Sequence, residues 1–210
     1  MREKKLDKIL ILGKSKKFIK EIKKNFKFKK LVIIPWRNIK DHYSKDLKYD
    51  LIFVCGFDFK LFHKNFNLFS KKNIYEPLNL IKSVSKKNSK IIYINTQKMN
   101  RKNFTFSRYN FAKQKLAYLI KKSYKNVLII EADLITVRNK ISINSGLLSK
   151  YIFYLLATFN YIKTVKIEEL IKMSFFRKVR SNNKYKNIKG YFLNIPRNQF
   201  IDRSLRLLFG

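Results

Sequence analysis

A tyrosine and a lysine four residues apart, Tyr109 and Lys113, are the residues of this chain best suited to chemistry. They stand at the start of an amphipathic segment, so on a helix both side chains point the same way. An apolar run ending in Asn95-Thr96 precedes them by one short loop. A phenol beside an ammonium, with the Thr96 hydroxyl nearby, can move a proton on or off a carbonyl or carbinol oxygen. The ammonium helps by favouring the phenolate form.

The spacing alone does not single out this pair. The chain has 12 Tyr and is rich in lysine, and Tyr-x-x-x-Lys begins at Tyr109, Tyr118 and Tyr185. Chance predicts such matches in a chain of this composition. The surroundings of each tyrosine must therefore decide between them.

The residues after the first apolar run form a poor dinucleotide-binding loop. Such a loop needs glycines for its tight turn, for the approach of the pyrophosphate and for helix packing. Gly13 is secure, but the second and third positions fall on Lys16 and on Lys20 or Ile19. Gly13, Ser15 and Lys16 are the predicted cofactor-binding residues here, because lysines at a helix N-terminus can meet phosphates through their side chains. The alternative, a loop that has lost its cofactor, stays open.

Three further residues are predicted to line a cofactor cleft. After the second apolar run, an acidic residue would hold an adenosine ribose, whereas Arg37 suits a 2′-phosphate and slightly favours NADP over NAD. Cys55 and Gly56 end the third run. As the chain's only cysteine, Cys55 cannot form an internal disulfide, and a buried core thiol is its expected role.

Other polar residues suggest no site. Asp58 follows Gly56 and is expected to cap a turn. His42 and His63 lack partners at metal-ligand spacing, so no metal is predicted.

The composition predicts a packed domain with a very basic surface. Hydrophobic residues make up 46% of the 210, and the formal net charge is +36. Such a charge indicates an anionic partner, and a basic polyanion-binding protein is one alternative. However, lysine is scattered along the chain and inflated together with Asn, Ile, Phe and Tyr, which favours compositional drift. No signal peptide is expected, because the start Met1–Lys8 is polar and the apolar run Ile9–Leu12 is too short. No membrane span is expected, because the most apolar later segment, Gly146–Ile162, is also too short. A cytoplasmic location fits, and a homodimer is left open.

Short apolar runs alternate with helical patterns, which is typical of strand–helix units around a parallel sheet. The predicted strands are Lys8–Leu12, Leu31–Ile34, Tyr49–Cys55, Lys90–Ile94 and Val127–Glu131. The predicted helices are Lys16–Asn25, Asn73–Lys86 and Tyr109–Lys122, followed by two more near Leu147–Tyr161 and Lys166–Phe176. We therefore expect an α/β fold, a Rossmann-like doubly wound parallel sheet with a small, mainly helical C-terminal part. Residues 1–140 form the predicted NAD(P)-binding domain, and residues 141–210 a reduced substrate-binding part packed on it.

Several segments in this order resemble the short-chain dehydrogenase/reductase superfamily, and in particular its extended branch of nucleotide-sugar epimerases, dehydratases and dehydrorhamnose-reductase-like enzymes. Asn73-Ile74-Tyr75-Glu76-Pro77-Leu78-Asn79-Leu80 is similar to that branch's Asn-Val-x-Gly-Thr-x-Asn-Leu helix. The run ending at Thr96 resembles the strand that carries the catalytic Ser/Thr, and Tyr109 and Lys113 match the Tyr-x-x-x-Lys motif. Asp50–Gly56 resembles the strand entering the cofactor cleft.

The resemblance implies roles for these residues. Tyr109 would be the general acid/base, Lys113 would also bind a ribose hydroxyl of the nicotinamide cofactor, and Thr96 would orient the substrate oxygen. Asn73 would support a water or backbone link behind the lysine. The implied function is an NAD(P)-dependent oxidoreductase, epimerase or dehydratase acting on a nucleotide-linked sugar, in surface polysaccharide biosynthesis. A catalytically silent relative serving as a binding or regulatory module is the alternative.

Overall fold

A five-stranded parallel sheet forms the centre of the protein. The computed structural model describes residues 6–13, 16–42, 47–95, 104–131, 134–137, 140–141, 151, 154–155, 157–159, 164–176 and 189–190. The sheet strands are β1 (Leu6–Leu12), β2 (Phe28–Ile34), β3 (Tyr49–Val54), β4 (Ser85–Asn95) and, after a short β5 (Phe104–Thr105), β6 (Val127–Glu131). They lie in the order β2-β1-β3-β4-β6, and every pairing is parallel. The predicted doubly wound α/β sheet is confirmed.

The strand order reverses between β1 and β3. From β1 the chain moves outward to β2, then returns across the sheet to β3 and continues to β4 and β6. In open parallel sheets, ligands bind at such a reversal, beyond the carboxyl ends of the strands. Gly13 and Cys55-Gly56 follow β1 and β3 at this point.

Two apolar layers enclose the sheet because successive strand residues face opposite sides. On one side, Ile9, Ile11 and Phe53 pack against helix α1 (Lys16–Asn25) and a later helix, α5 (Ile167–Phe176). On the other side, Leu10, Val54 and Tyr93 pack against helices α3 (Glu76–Val84) and α4 (Arg108–Ser123). Strands covered on both faces read as continuous apolar runs, which is why the sequence marks them clearly.

The helical segment before β4 is longer and less regular than predicted. It starts with α2 (Phe66–Ser70), where the Asn65 side chain accepts a hydrogen bond from Leu68 N, and passes through a π-helical turn (Lys71–Tyr75) into α3. The prediction of one helix over Asn73–Lys86 is wrong in its start and end. Pro77 has no N–H and its ring crowds the carbonyl four residues earlier, which disfavours a regular α-helix at Asn73.

Two small sheets involve the later part of the chain. β5 pairs in parallel with β10 (Lys189–Gly190). β7 (Leu134–Val137) pairs with β8 (Lys140–Ile141) and with β9 (Thr164–Lys166), which leads into α5. The predicted helix Leu147–Tyr161 lies mostly outside the described residues. Within the described part of the chain, no helix has the length and apolar character needed to cross a membrane.

Candidate active site

The carboxyl ends of β1 and β3 touch each other through two glycines. Gly13 has φ +126°, and a Cβ built on it would lie 2.7 Å from the backbone N of Gly56. Its own N–H donates to Ile34 O at 2.9 Å. The turn after β1 therefore needs glycine both for its conformation and for space. Gly13 and Gly56, both predicted cofactor-binding residues, are brought together at the strand reversal.

Lys113 projects from α4 to the same edge of the sheet. Its side chain is nearly buried, with 4% exposure for the residue. Nζ donates to Ile94 O at 3.3 Å and to Gly56 O at 3.4 Å, the carbonyls that end β4 and β3. It also lies 5.1 Å from the centroid of the Tyr93 ring, a cation–π distance. The ammonium is thus fixed where a ligand at this edge would meet it.

Tyr109 lies one turn before Lys113, and the structure brings the two together. Lys113 Nζ is 6.0 Å from the centroid of the Tyr109 ring. Phe59 stacks on that ring at 5.6 Å, and Phe57 meets it edge-on at 4.7 Å. Tyr109 is consequently 7% exposed. The predicted acid/base is held rigidly in an aromatic wall formed by the loop after β3.

The first turn of α4 is anchored on both sides of Tyr109. Ser107 accepts a hydrogen bond from Asn110 N at 3.2 Å and so caps the helix. The Arg108 side chain is fully buried and donates to Phe62 O at 3.1 Å and Lys64 O at 2.8 Å. These bonds tie the start of α4 to the loop that carries the aromatic wall.

Asn73 makes its side-chain hydrogen bonds to Trp36 and to the loop after β3. Its Oδ1 accepts from Trp36 Nε1 at 3.0 Å and from Asp58 N at 2.9 Å, while its Nδ2 donates to Asp58 O at 3.2 Å. The π-helical turn directs this side chain to the loop after β3. Asn73 therefore positions that loop and Trp36, and its link behind Lys113 stays a prediction.

Trp36 covers Gly56. The indole is buried, and a Cβ built on Gly56 would lie only 2.3 Å from its Cε3 atom. Trp36 follows β2, the position from which a dinucleotide-binding fold offers an acidic residue to the adenosine ribose. Nothing in the sequence pattern signals this contact, because it depends on the Trp36–Asn73 hydrogen bond across 37 residues.

Arg37 pairs with Asp58 instead of standing free for a 2′-phosphate. Its Nε and Nη2 donate to the two carboxylate oxygens at 3.1 and 3.0 Å. The hydrogen bond to Asp58 raises the pKa of Arg37 above its ordinary value. Asp58 also accepts from Lys60 N and begins a 3-10 turn (Phe59–Leu61), so its predicted capping role is confirmed. Arg37 therefore already has an anionic partner within the protein, and the preference for NADP over NAD stays a prediction.

Two of the predicted residues, Thr96 and Ser15, lie outside the described residues. Lys16 opens α1 with an exposed side chain, beside the turn at Gly13. Within the described residues, no group of three or more His, Cys, Asp or Glu side chains could hold a metal.

Cys55 gives the cleft a measurable pH dependence. Cys55 is half-buried rather than fully buried as expected; desolvation raises the pKa of its thiol to about 12, and Sγ donates to Leu12 O at 3.5 Å. In the unfolded chain a cysteine titrates near pH 8.5. The folded state keeps its proton between these values, so the stabilisation is complete below pH 8.5 and is lost as the pH rises toward 12.

We therefore expect the free energy of unfolding to fall by about 1 kcal/mol per pH unit between pH 8.5 and 9.5. The Cys55→Ala variant should lack this part of the slope, because it has no thiol to titrate. Denaturant unfolding of both proteins at several pH values measures the difference. Parallel slopes would show that the thiol is not protected.

Asn95 is a candidate site residue that the sequence did not indicate. It ends β4 and is 1% exposed, and within the described residues neither Oδ1 nor Nδ2 has a hydrogen-bond partner. Alternation along β4 puts its side chain on the face of Tyr93, which is the face covered by α4. A buried polar group without a partner at a ligand-binding edge marks a binding position.

The residues present suit an NAD(P) cofactor at its nicotinamide end. Lys113 and the unpaired carboxamide of Asn95 offer polar groups beyond β4, and the tight turn at Gly13 precedes the N-terminus of α1, where anions bind. At the adenosine end, Trp36 replaces a carboxylate, so that end would be bound differently from the common pattern.

Together, the strand order and the helices on both faces define a Rossmann-like doubly wound fold, with Tyr109 and Lys113 on the helix that leads to the carboxyl edge of its sheet. The solved structure of Helicobacter pylori ADP-L-glycero-D-manno-heptose-6-epimerase is similar with a TM-score of 0.51 and 15% identity, over 80% of this chain and 72% of that chain. A short chain dehydrogenase family protein from Francisella tularensis is similar with a TM-score of 0.46 and 14% identity, over 88% of this chain and 95% of that chain. No family model matches the sequence, and no curated protein does. At this identity, the likeness to the epimerase establishes the fold.

Proposed function

We propose that the chain is an NAD(P)-dependent reductase, epimerase or dehydratase that acts on a nucleotide-linked sugar, in the cytoplasm and in surface polysaccharide biosynthesis. The observation that carries this proposal is the convergence of Tyr109 and Lys113 at the strand reversal, with Lys113 Nζ fixed by Ile94 O and Gly56 O. The epimerase with the similar fold acts, by its name, on an ADP-linked heptose. The net charge of +36 also favours substrates that carry a diphosphate.

Each residue has a defined task in this proposal. Tyr109 holds or gives the proton of the sugar hydroxyl that becomes, or comes from, a carbonyl. Lys113 places its positive charge next to the phenol and favours its phenolate. Phe57 and Phe59 keep water from the ring face of Tyr109 and fix its direction. The nicotinamide, when bound, supplies or accepts the hydride. Residues 141–210 are proposed as the reduced sugar-binding part.

A cofactor titration tests the proposal with a reporter that the chain provides. Trp36 is the only tryptophan, and it lies directly on Gly56 in the cleft. We expect NADH or NADPH to quench its emission with saturation in the micromolar range, the range common for enzyme ligands. The expected signal is specific to the dinucleotide, so AMP and inorganic pyrophosphate at the same concentration serve as controls. Unchanged emission, with no heat in calorimetry at millimolar cofactor, would overturn the proposal.

A second candidate is a cofactor-free relative that acts as a binding module. The contact of Trp36 with Gly56 favours it, because the indole lies in the groove that leads from Gly13 toward the adenosine position. The same titration distinguishes the two candidates. In the binding module Trp36 stays where it is, and no dinucleotide displaces it.

A further inference from the structure

The end of β4 carries a polar group that the protein itself does not use. Asn95 has both a donor and an acceptor, and both atoms are buried without a partner among the residues that the structure describes. Leaving such groups unpaired costs free energy, in the range of one to a few hydrogen bonds. A protein keeps this cost where a ligand supplies the missing bonds.

The position of Asn95 limits which ligand group can do so. Tyr93 pairs in register with Val54. Asn95 lies two residues after Tyr93, and Gly56 lies two residues after Val54, so the two residues hold equivalent positions along neighbouring segments of the chain. Lys113 Nζ bonds to the carbonyls of Gly56 and of Ile94, the residue before Asn95. Asn95 therefore directly follows the residue whose carbonyl contacts the Lys113 ammonium, at the edge of the sheet where the reaction is proposed.

We propose that Asn95 binds the carboxamide of the nicotinamide ring, an inference that rests on the proposed function. Oδ1 accepts from the ligand's amide N–H and Nδ2 donates to its carbonyl, so one planar group satisfies both atoms. In a nucleotide-linked sugar without an N-acetyl group, the amide-like groups belong to the base, which the diphosphate separates from the sugar. The nicotinamide carboxamide is thus the amide that reaches the centre. The same pair of bonds fixes which ring face the sugar meets.

The test compares NAD⁺ with its 3-acetylpyridine analogue, which keeps the carbonyl and lacks the amide N–H. We expect the unmodified protein to bind NAD⁺ about tenfold more tightly than the analogue, the value of one buried hydrogen bond. In the Asn95→Leu variant, NAD⁺ affinity should fall about tenfold and the preference should disappear. Calorimetry and Trp36 emission measure both dissociation constants without any turnover.

The melting temperature of the ligand-free variant distinguishes a ligand-binding role for Asn95 from a structural one. Because Leu removes unpaired buried polar atoms while keeping the volume, the ligand-free Asn95→Leu variant should melt at an equal or higher temperature. The matched control is Asn88→Leu, at the exposed amino end of the same strand, which should leave both affinities unchanged.

The outcomes separate the two levels of the proposal. A preference for NAD⁺ that persists in Asn95→Leu, or a sugar-substrate affinity that falls while cofactor affinity stays constant, would overturn the role of Asn95 and keep the enzyme. Absence of binding of either dinucleotide to the unmodified protein would overturn the proposed function itself. A lower melting temperature for the variant would assign Asn95 to the fold.

Discussion

Replacing Tyr109 with phenylalanine is expected to lower turnover by about 10²- to 10⁴-fold, the usual contribution of a positioned acid/base. The substitution removes only the hydroxyl. The ring contacts with Phe57 and Phe59 and the 6.0 Å approach of Lys113 Nζ to the ring centroid remain. Cofactor affinity should therefore stay within a few-fold of the original. Steady-state rates on uridine-, thymidine- and adenosine-diphosphate sugars, together with cofactor titration, measure the two effects separately.

Tyr118→Phe is the matched control. Tyr118 begins a second Tyr-x-x-x-Lys match on the same helix, is half-buried, and lies near Lys115 rather than the sheet edge, with 5.9 Å between Nζ and its ring centroid. The Tyr118→Phe variant should turn over substrate at the rate of the original protein. If Tyr109→Phe kept full activity, Tyr109 would have no part in proton transfer and the aromatic wall would be its whole role.

The sequence predicted the elements whose signals are local. The strands Tyr49–Val54 and Val127–Glu131 and the helix Lys16–Asn25 were predicted with nearly their observed bounds. Strands covered on both faces show as apolar runs, and α1 shows as buried Phe18 and Ile22 at helical spacing with basic residues in its last turn. The spacing of Tyr109 and Lys113 is local as well, since one helical turn joins them, and the strand that precedes this match distinguishes it from the two others.

Contacts between distant residues could not be predicted. Trp36, Asn73 and Asp58 are far apart in the chain, and only the folded sheet brings β2, the π-helical turn and the loop after β3 to one point. Arg37 and Asp58 form a bidentate pair 21 residues apart. The sequence offered Arg37 as a phosphate ligand because a basic side chain does not reveal which acid lies near it.

Asn95 could not be predicted for a different reason. Its importance comes from bonds that it does not make within the protein, and a sequence shows which groups could pair but not which stay unpaired. The sequence did mark the end of this strand, because the family resemblance pointed to the next residue, Thr96. It gave no sign of the preceding side chain, since the family pattern has no requirement for an asparagine there.

Substituting Gly13 with alanine should destabilise the protein by about 2–5 kcal/mol, from a strained backbone and an overpacked contact. At φ +126° a residue with a Cβ is strained whatever the space around it. The added Cβ would also meet Gly56 N at 2.7 Å and Gly56 Cα at 2.8 Å, and backbone atoms cannot rotate aside as a side chain can. Denaturant unfolding monitored by circular dichroism measures the loss.

Gly56→Ala is the informative comparison. Its Cβ would meet chiefly the indole of Trp36, at 2.3 Å, with Gly13 Cα at 3.0 Å. A smaller side chain at position 36 can relieve most of that clash, so Trp36→Leu should restore part of the stability lost in Gly56→Ala and none of that lost in Gly13→Ala. Equal rescue of both glycine variants would mean that the turn after β1 can change its conformation. It would contradict the inference that a rigid sheet edge positions Lys113 and Asn95.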